Sequence, residues 1–167
     1  MTEPSPPPTE TETIVVDETG LGKYQVEARV GSASFLIDEP ASVGGLGSGP
    51  NPYDLLSAAL GSCTAMTIRL YGNRKAWPLT HVRVQVGHHR DALQAKDVFS
   101  REIHLDGALD EAQRAQLISI AERCPVHLTL QRGSQVNTVL APATPGPAAN
   151  PCTVGVHMKH MDEACGS

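Results

Sequence analysis

The sequence is short of positive charge. Its 13 Lys and Arg residues stand against 18 Asp and Glu, a formal net charge of −5, and the bases gather nowhere into a patch. Nucleic-acid binding draws on such a patch for its phosphate contacts, so nucleic acid is not expected as a partner. Long apolar runs are missing too: no stretch reaches the roughly 18 residues of a membrane-spanning helix. The opening "MTEPSPPPTETET" lacks the basic-then-apolar order of a secretory signal. These absences predict a soluble, cytoplasmic chain with no membrane partner. Cysteine is sparse, four in all. In a reducing compartment they are not expected to form structural disulfides, which leaves burial, metal binding or redox reactivity.

What is present suffices for one domain with a core, since 40% of the 167 residues are hydrophobic. Residues 1–12, rich in Pro, Glu and Thr, read as a disordered tail. "TIVVDE", "KYQVEARV" and "ASFLID" read as three short strands with turns at Gly20, Gly22 and Gly31. The glycine-rich "VGGLGSGPNP" then delivers the chain to Asn51, a good N-cap, and Pro52, suited to a first helical position. The helix that follows, over 53–71, has Asp54 as its one acid and no base before Arg69. A helix so apolar is expected to be buried on nearly every side.

"HVRVQVGHH" and "VFSREIHL" alternate as paired antiparallel strands over 80–105, with His88 and His89 read as solvated at the hairpin end. From Asp110 to Arg123, Leu117, Ile120 and Ala121 lead on to Cys124 along one helical face. Pro125 breaks that helix and opens a short one in "PVHLTLQRG", and "SQVNTVLA" reads as a closing strand. The order predicts an α+β domain over 13–141 with helices laid on antiparallel sheet. A Pro/Ala linker at 142–151 then leads to a separate tail at 152–167.

Two cysteines stand in contexts that invite chemistry. Cys63 lies on the helical face Leu56, Leu60, Cys63, Thr67, Leu70 and can be read as a small core residue. Cys124 directly precedes Pro125, which places it at a helix N-terminus where unpaired N–H groups favour a thiolate. Size alone would also explain a helix-ending cysteine, so both readings stand. His127, three residues on, could add positive charge beside it.

The segments "DEPASVGGLGSGPNPYDLLSAALGSCTAMTIRLYGNRKAWPL" and "LDEAQRAQLISIAERCPVHLTL" together resemble the OsmC/Ohr family of thiol peroxidases, over about residues 24–140. The resemblance implies antiparallel sheets packed on central helices in an intertwined homodimer. It also implies that Cys63 is the peroxidatic thiolate and Cys124 the resolving thiol, in an apolar pocket to which Leu56, Leu60 and Met66 contribute. The thiolate would attack a hydroperoxide and the sulfenic acid would condense with the second thiol. No resident cofactor is implied, only an external dithiol reductant of lipoyl or thioredoxin type. The family carries Glu directly after Asn-Pro to hold an activating Arg. Here that place is Tyr53, with Asp54 next, and Arg29 is the candidate arginine.

The tail adds Cys152, His157, His160 and Cys165, in the order C-x4-H-x2-H-x4-C, ligand types that could close a tetrahedral zinc site or supply an accessory thiol pair, although a short segment flanked by Pro and Gly is more often a disordered tail. Besides a peroxidase, the sequence therefore admits two other readings. One is a non-catalytic module binding a small ligand in the same pocket, and the other is a metal or redox sensor built on the tail.

Overall fold

The computed structural model describes residues 13–140 and 156–166. The stretch at 1–12, the linker at 142–151 and Cys152 lie outside the described residues. Two compact units divide the chain, the first from the N-terminal part to Pro52 and the second from Tyr53 to Thr138 together with the C-terminal segment from Val156.

In the first unit β1 (Val15–Glu18), β2 (Val26–Val30) and β3 (Ala33–Ile37) form an antiparallel sheet in the order β1-β2-β3. After β3 the glycine-rich loop folds around the buried carboxylate of Asp38. It accepts hydrogen bonds from the backbone of Glu39 (2.8 Å), Leu46 (2.9 Å) and Ser48 (3.3 Å) and from the Ser48 hydroxyl (2.8 Å). Burial opposes the charge on Asp38, but these donors outweigh it and hold the carboxyl below the usual carboxylate range. The loop needs its glycines for close approach: a Cβ at Gly45 would lie 1.9 Å from the Glu39 carbonyl oxygen, and one at Gly49 would lie 2.2 Å from that of Leu36.

The second unit is built on α1 (Pro52–Arg74), the hairpin β4 (Leu79–His89) and β5 (Val98–Gly107), α2 (Glu111–Ala121), α3 (Pro125–Arg132) and α4 (Val156–Cys165). The pleat turns Val82, Val84, Val86 and His88 of β4 to the same face as Leu105, Ile103, Arg101 and Phe99 of β5, which lie directly opposite them. Val82, Ile103 and Leu105 pack on a core of Ile68 and Tyr71 from α1, Leu79, and Leu117, Ile120 and Ala121 from α2. Each fully buried Leu or Ile there contributes about 1.5–3 kcal/mol relative to exposure. The chain is thus α+β with antiparallel sheets, as its order of elements predicts.

Local signals set the ends of these helices. Asp110 caps α2 reciprocally: its carboxylate accepts from the Gln113 backbone (2.7 Å) while the Gln113 side chain accepts from the Asp110 N–H (3.1 Å). At the end of α1, Trp77 N–H donates to the Gly72 carbonyl (3.0 Å) and Ala76 N–H to that of Asn73 (3.0 Å). Ala76 takes the left-handed conformation (φ 51°) that this closure demands, a position where glycine is the usual choice.

Three sequence expectations change. Residues 134–140 of "SQVNTVLA" form no strand: no strand among the described residues pairs with them, and Val136, Val139 and Leu140 are left exposed. Residues 156–165, expected as part of a separate tail, form a helix that belongs to the second unit and buries Met161 and Cys165. Finally, α1 is not covered on nearly every side in the single chain, since Leu56 is 42% and Met66 53% exposed.

Candidate active site

Cys63 and Cys124 come together in the second unit, buried (1% and 0% exposed) in a small cluster with Leu60. Val86, Phe99, Val126 and Leu130 close around it. Two local features bring the thiols there. Leu60 and Cys63 are neighbours on one face of α1, and Cys124 is the extended N-cap residue of α3, fixed by Pro125 in the first turn. The open N-terminus of α3 then supplies N–H groups to both sulfurs: Val126 N–H donates to Cys63 Sγ and His127 N–H to Cys124 Sγ, each at 3.4 Å.

Each thiol acts on the other, and that interaction dominates their titration. It lowers Cys124 to about 6, against the cost of burial and helped by the His127 N–H, the Thr64 hydroxyl and the charge of Arg101. The same interaction, together with burial, pushes Cys63 up. The first ionisation of the pair therefore lies well below the second, and among these groups Cys124 is the favoured site of the thiolate.

Arg101 organises the surroundings of that thiolate. Its guanidinium donates to the Thr64 hydroxyl (2.8 Å), the Ala121 carbonyl (3.1 Å), Glu122 Oε1 (2.8 Å) and His127 Nδ1 (3.2 Å). Thr64 Oγ1 in turn lies 2.7 Å from the Leu60 carbonyl and 3.8 Å from Cys124 Sγ. Because His127 accepts at Nδ1, its Nε2 carries the hydrogen toward Glu122 (3.4 Å), which is the neutral tautomer. His127 thus serves Cys124 through its backbone N–H, and Arg101 brings the positive charge. Beside the pair, Leu60, Phe99, Arg101, Glu122, His127 and Leu130 line a cleft of about 350 Å³.

The other residues singled out from the sequence are placed as follows. Arg29 lies in the first unit and pairs there with Asp17 and Glu27. Tyr53 stacks on His88 with ring centroids 4.2 Å apart, and Arg90 lies 5.3 Å from the Tyr53 ring centre. His88 is therefore not solvated: it also bonds Asp97 at 2.7 Å, whereas His89 is exposed. Asp54 lies exposed in the first turn of α1. Leu60 joins the cysteine cluster, while Leu56 and Met66 do not. Of the four tail residues, Cys165 Sγ turns to the Thr67 carbonyl (3.7 Å) and His160 is exposed. His157 Nε2 instead reaches Cys63 Sγ at 3.2 Å. No group of three or more His, Cys, Asp and Glu is placed to hold a metal among the described residues.

Sequence reasoning overlooked Arg101 and the contact of His157. The first had a signal: in "VFSREIHL" Arg101 shares its parity with Phe99, Ile103 and Leu105, a charge on the buried face of a strand.

Comparison with known proteins places the family and the fold. The family model for OsmC-like proteins matches residues 45–139, more than half of the chain. The chain belongs to the OsmC/Ohr family. Several solved structures share the fold. One, from Psychrobacter arcticus 273-4, is ascribed to osmotic stress induction and the detoxification response; it is 20% identical at a TM-score of 0.62 over 71% of this chain and 88% of its own. An organic hydroperoxide resistance protein OsmC from Legionella pneumophila is 24% identical (TM-score 0.55, 71% and 89% covered). An OsmC-like protein from Mycoplasma pneumoniae is 20% identical (TM-score 0.59, 74% and 89% covered). No curated protein sequence matches the chain. In this member of the family no helix of the described residues is long and apolar enough to cross a membrane.

Proposed function

We propose that this protein is a cysteine-based peroxidase that reduces organic hydroperoxides through Cys63 and Cys124 as part of oxidative-stress defence. The observation that carries the reading is the burial of two thiols in one cluster at a helix N-terminus, each sulfur accepting a backbone N–H of α3. One thiolate attacks the distal peroxide oxygen: a sulfur–oxygen bond forms, the oxygen–oxygen bond breaks, and the alkoxide leaves as alcohol on taking a proton. The sulfenic acid then condenses with the second thiol, releasing water and leaving a disulfide. Two electrons from an external dithiol of lipoyl or thioredoxin type restore both thiols in the cytoplasm.

The cleft beside the pair, with Leu60, Phe99 and Leu130 on its walls, favours alkyl over hydrogen peroxide, because each buried CH₂ contributes about 0.8 kcal/mol. With dihydrolipoamide as reductant, cumene hydroperoxide is expected to be consumed at least about tenfold more efficiently than hydrogen peroxide, on the scale where about 1.4 kcal/mol is tenfold. Dithiol-dependent consumption no faster than that of a chain lacking both thiols would overturn the reading. The rival binding-module reading rests on Tyr53, which stands where the family carries Glu and is occupied in stacking on His88.

We further infer a homodimer in which a second copy covers the exposed Leu56 and Met66 of α1. Light scattering across a dilution series should give twice the 17.7 kDa chain mass at micromolar concentration. A monodisperse single-chain mass would remove that arrangement.

A further inference from the structure

The peroxidase reading leaves a difficulty at its centre. The family role of Cys63 is nucleophile, yet the mutual interaction of the two thiols pushes Cys124 down and Cys63 up. A group able to donate to Cys63 Sγ would draw the shared proton across to Cys124 and make Cys63 the attacking sulfur. One such side chain is present. His157 Nε2 lies 3.2 Å from Cys63 Sγ, carried there by α4 from 94 positions along the chain.

The contact is built into the packing of α4. Met161 is buried (2% exposed), and Cys165 joins the core formed by α1 and α2. Arg74, in the last turn of α1, binds Asp162 through both its side chain (2.6 Å) and its carbonyl (3.4 Å). Three anchors other than His157 therefore hold the helix against the unit that carries Cys63, and the imidazole is delivered to the sulfur by a fixed element.

We propose that His157 is a catalytic residue of the Cys63/Cys124 centre, selecting Cys63 as the nucleophile and protonating the alkoxide that leaves. The inference rests on the peroxidase reading and extends it to a segment beyond the matched family region, which ends at residue 139. The step balances. Starting from Cys63 thiolate, Cys124 thiol and His157 imidazolium, attack on the hydroperoxide forms the Cys63 sulfur–oxygen bond, and His157 gives its proton to the departing alkoxide. Condensation of the sulfenic acid with the Cys124 thiol then forms the disulfide and one water. Sulfur is oxidised by two electrons and the peroxide is reduced by two, and His157 ends neutral, ready to take up a proton from solvent.

The test uses the full chain and the variants His157→Ala and His157→Gln, with Lys159→Ala on the same helix as control. Limited iodoacetamide labelling, resolved by peptide mapping, reads which sulfur carries the charge without any peroxide. In the native chain label is expected mainly on Cys63, and in both His157 variants mainly on Cys124. Cumene hydroperoxide consumption should fall on the order of 10²-fold in His157→Ala, within the range for loss of a general acid. Free imidazole should restore part of it, which a merely structural role would not allow. Lys159→Ala should behave as the native chain. An unchanged labelling ratio with unchanged turnover in both His157 variants would overturn the proposal. If the native chain consumes no hydroperoxide, the peroxidase reading falls by itself. The labelling ratio then still decides whether His157 controls the charge on Cys63.

Discussion

Stoichiometric cumene hydroperoxide should remove two thiols per chain and leave a Cys63–Cys124 disulfide, while Cys165, buried against the Thr67 carbonyl, stays reduced. The two cysteines already share one buried cluster, so the bond needs little rearrangement of α1 and α3. Single substitutions should split the two roles. Cys63→Ser is expected to lower peroxide consumption at least ~10³-fold, the scale on which loss of a nucleophile is felt. Cys124→Ser should permit one oxidation and then accumulate sulfenic and sulfinic acid at Cys63, because no resolving thiol remains. Intact-mass measurement and peptide mapping read both outcomes. If Cys124→Ser is the inert variant and Cys63→Ser the one that over-oxidises, the roles are exchanged and Cys124 is the nucleophile.

Arg101 should matter nearly as much. Its charge helps to hold Cys124 down at about 6, so removing it raises that value and lowers the thiolate fraction at pH 7. A neighbouring cation typically shifts a thiol or carboxyl by about 1–3 units. Arg101→Gln should therefore move the thiolate absorbance midpoint upward. Peroxide consumption should fall on the order of 10²-fold, as when a preorganised donor is lost from an active site. Arg101→Lys keeps the charge but not the planar fork that spans Thr64, Ala121, Glu122 and His127, so it should fall between the two. A thiol titration identical to the native one in Arg101→Gln would show that the helix N-terminus alone sets the pair.

Much of this arrangement was legible before any coordinates. The N-cap position of Cys124 follows from its place before Pro125, and Leu60 and Cys63 share a face because helical spacing puts them there. The alternation in β4 and β5 predicted the hairpin, and the same alternation marked Arg101, although a charge among apolar neighbours is easily read as a solvent-facing residue. His157 carried no comparable signal. Its partner lies 94 positions away and its helix is short, so no local periodicity joins it to Cys63. The spacing of Cys152, His157, His160 and Cys165 suggested a ligand set, but a helix sends residues five or more apart to different neighbours. His157 and Cys165 accordingly end at different points of the second unit. The residues after Gly133 read as a strand from composition alone, yet a strand exists only where another offers its edge.

The single tryptophan has a practical consequence for how this protein's unfolding is followed. Trp77 packs edge-on against Tyr71, ring centroids 5.6 Å apart, beside the core of Ile68, Leu117 and Ile120. Its emission during a denaturant titration therefore reports the interior of the second unit directly. The first unit has Tyr24 in the turn before β2 and no tryptophan, so its melting needs far-ultraviolet circular dichroism. Coincidence of the two signals is then a direct measure of whether the units unfold as one cooperative body.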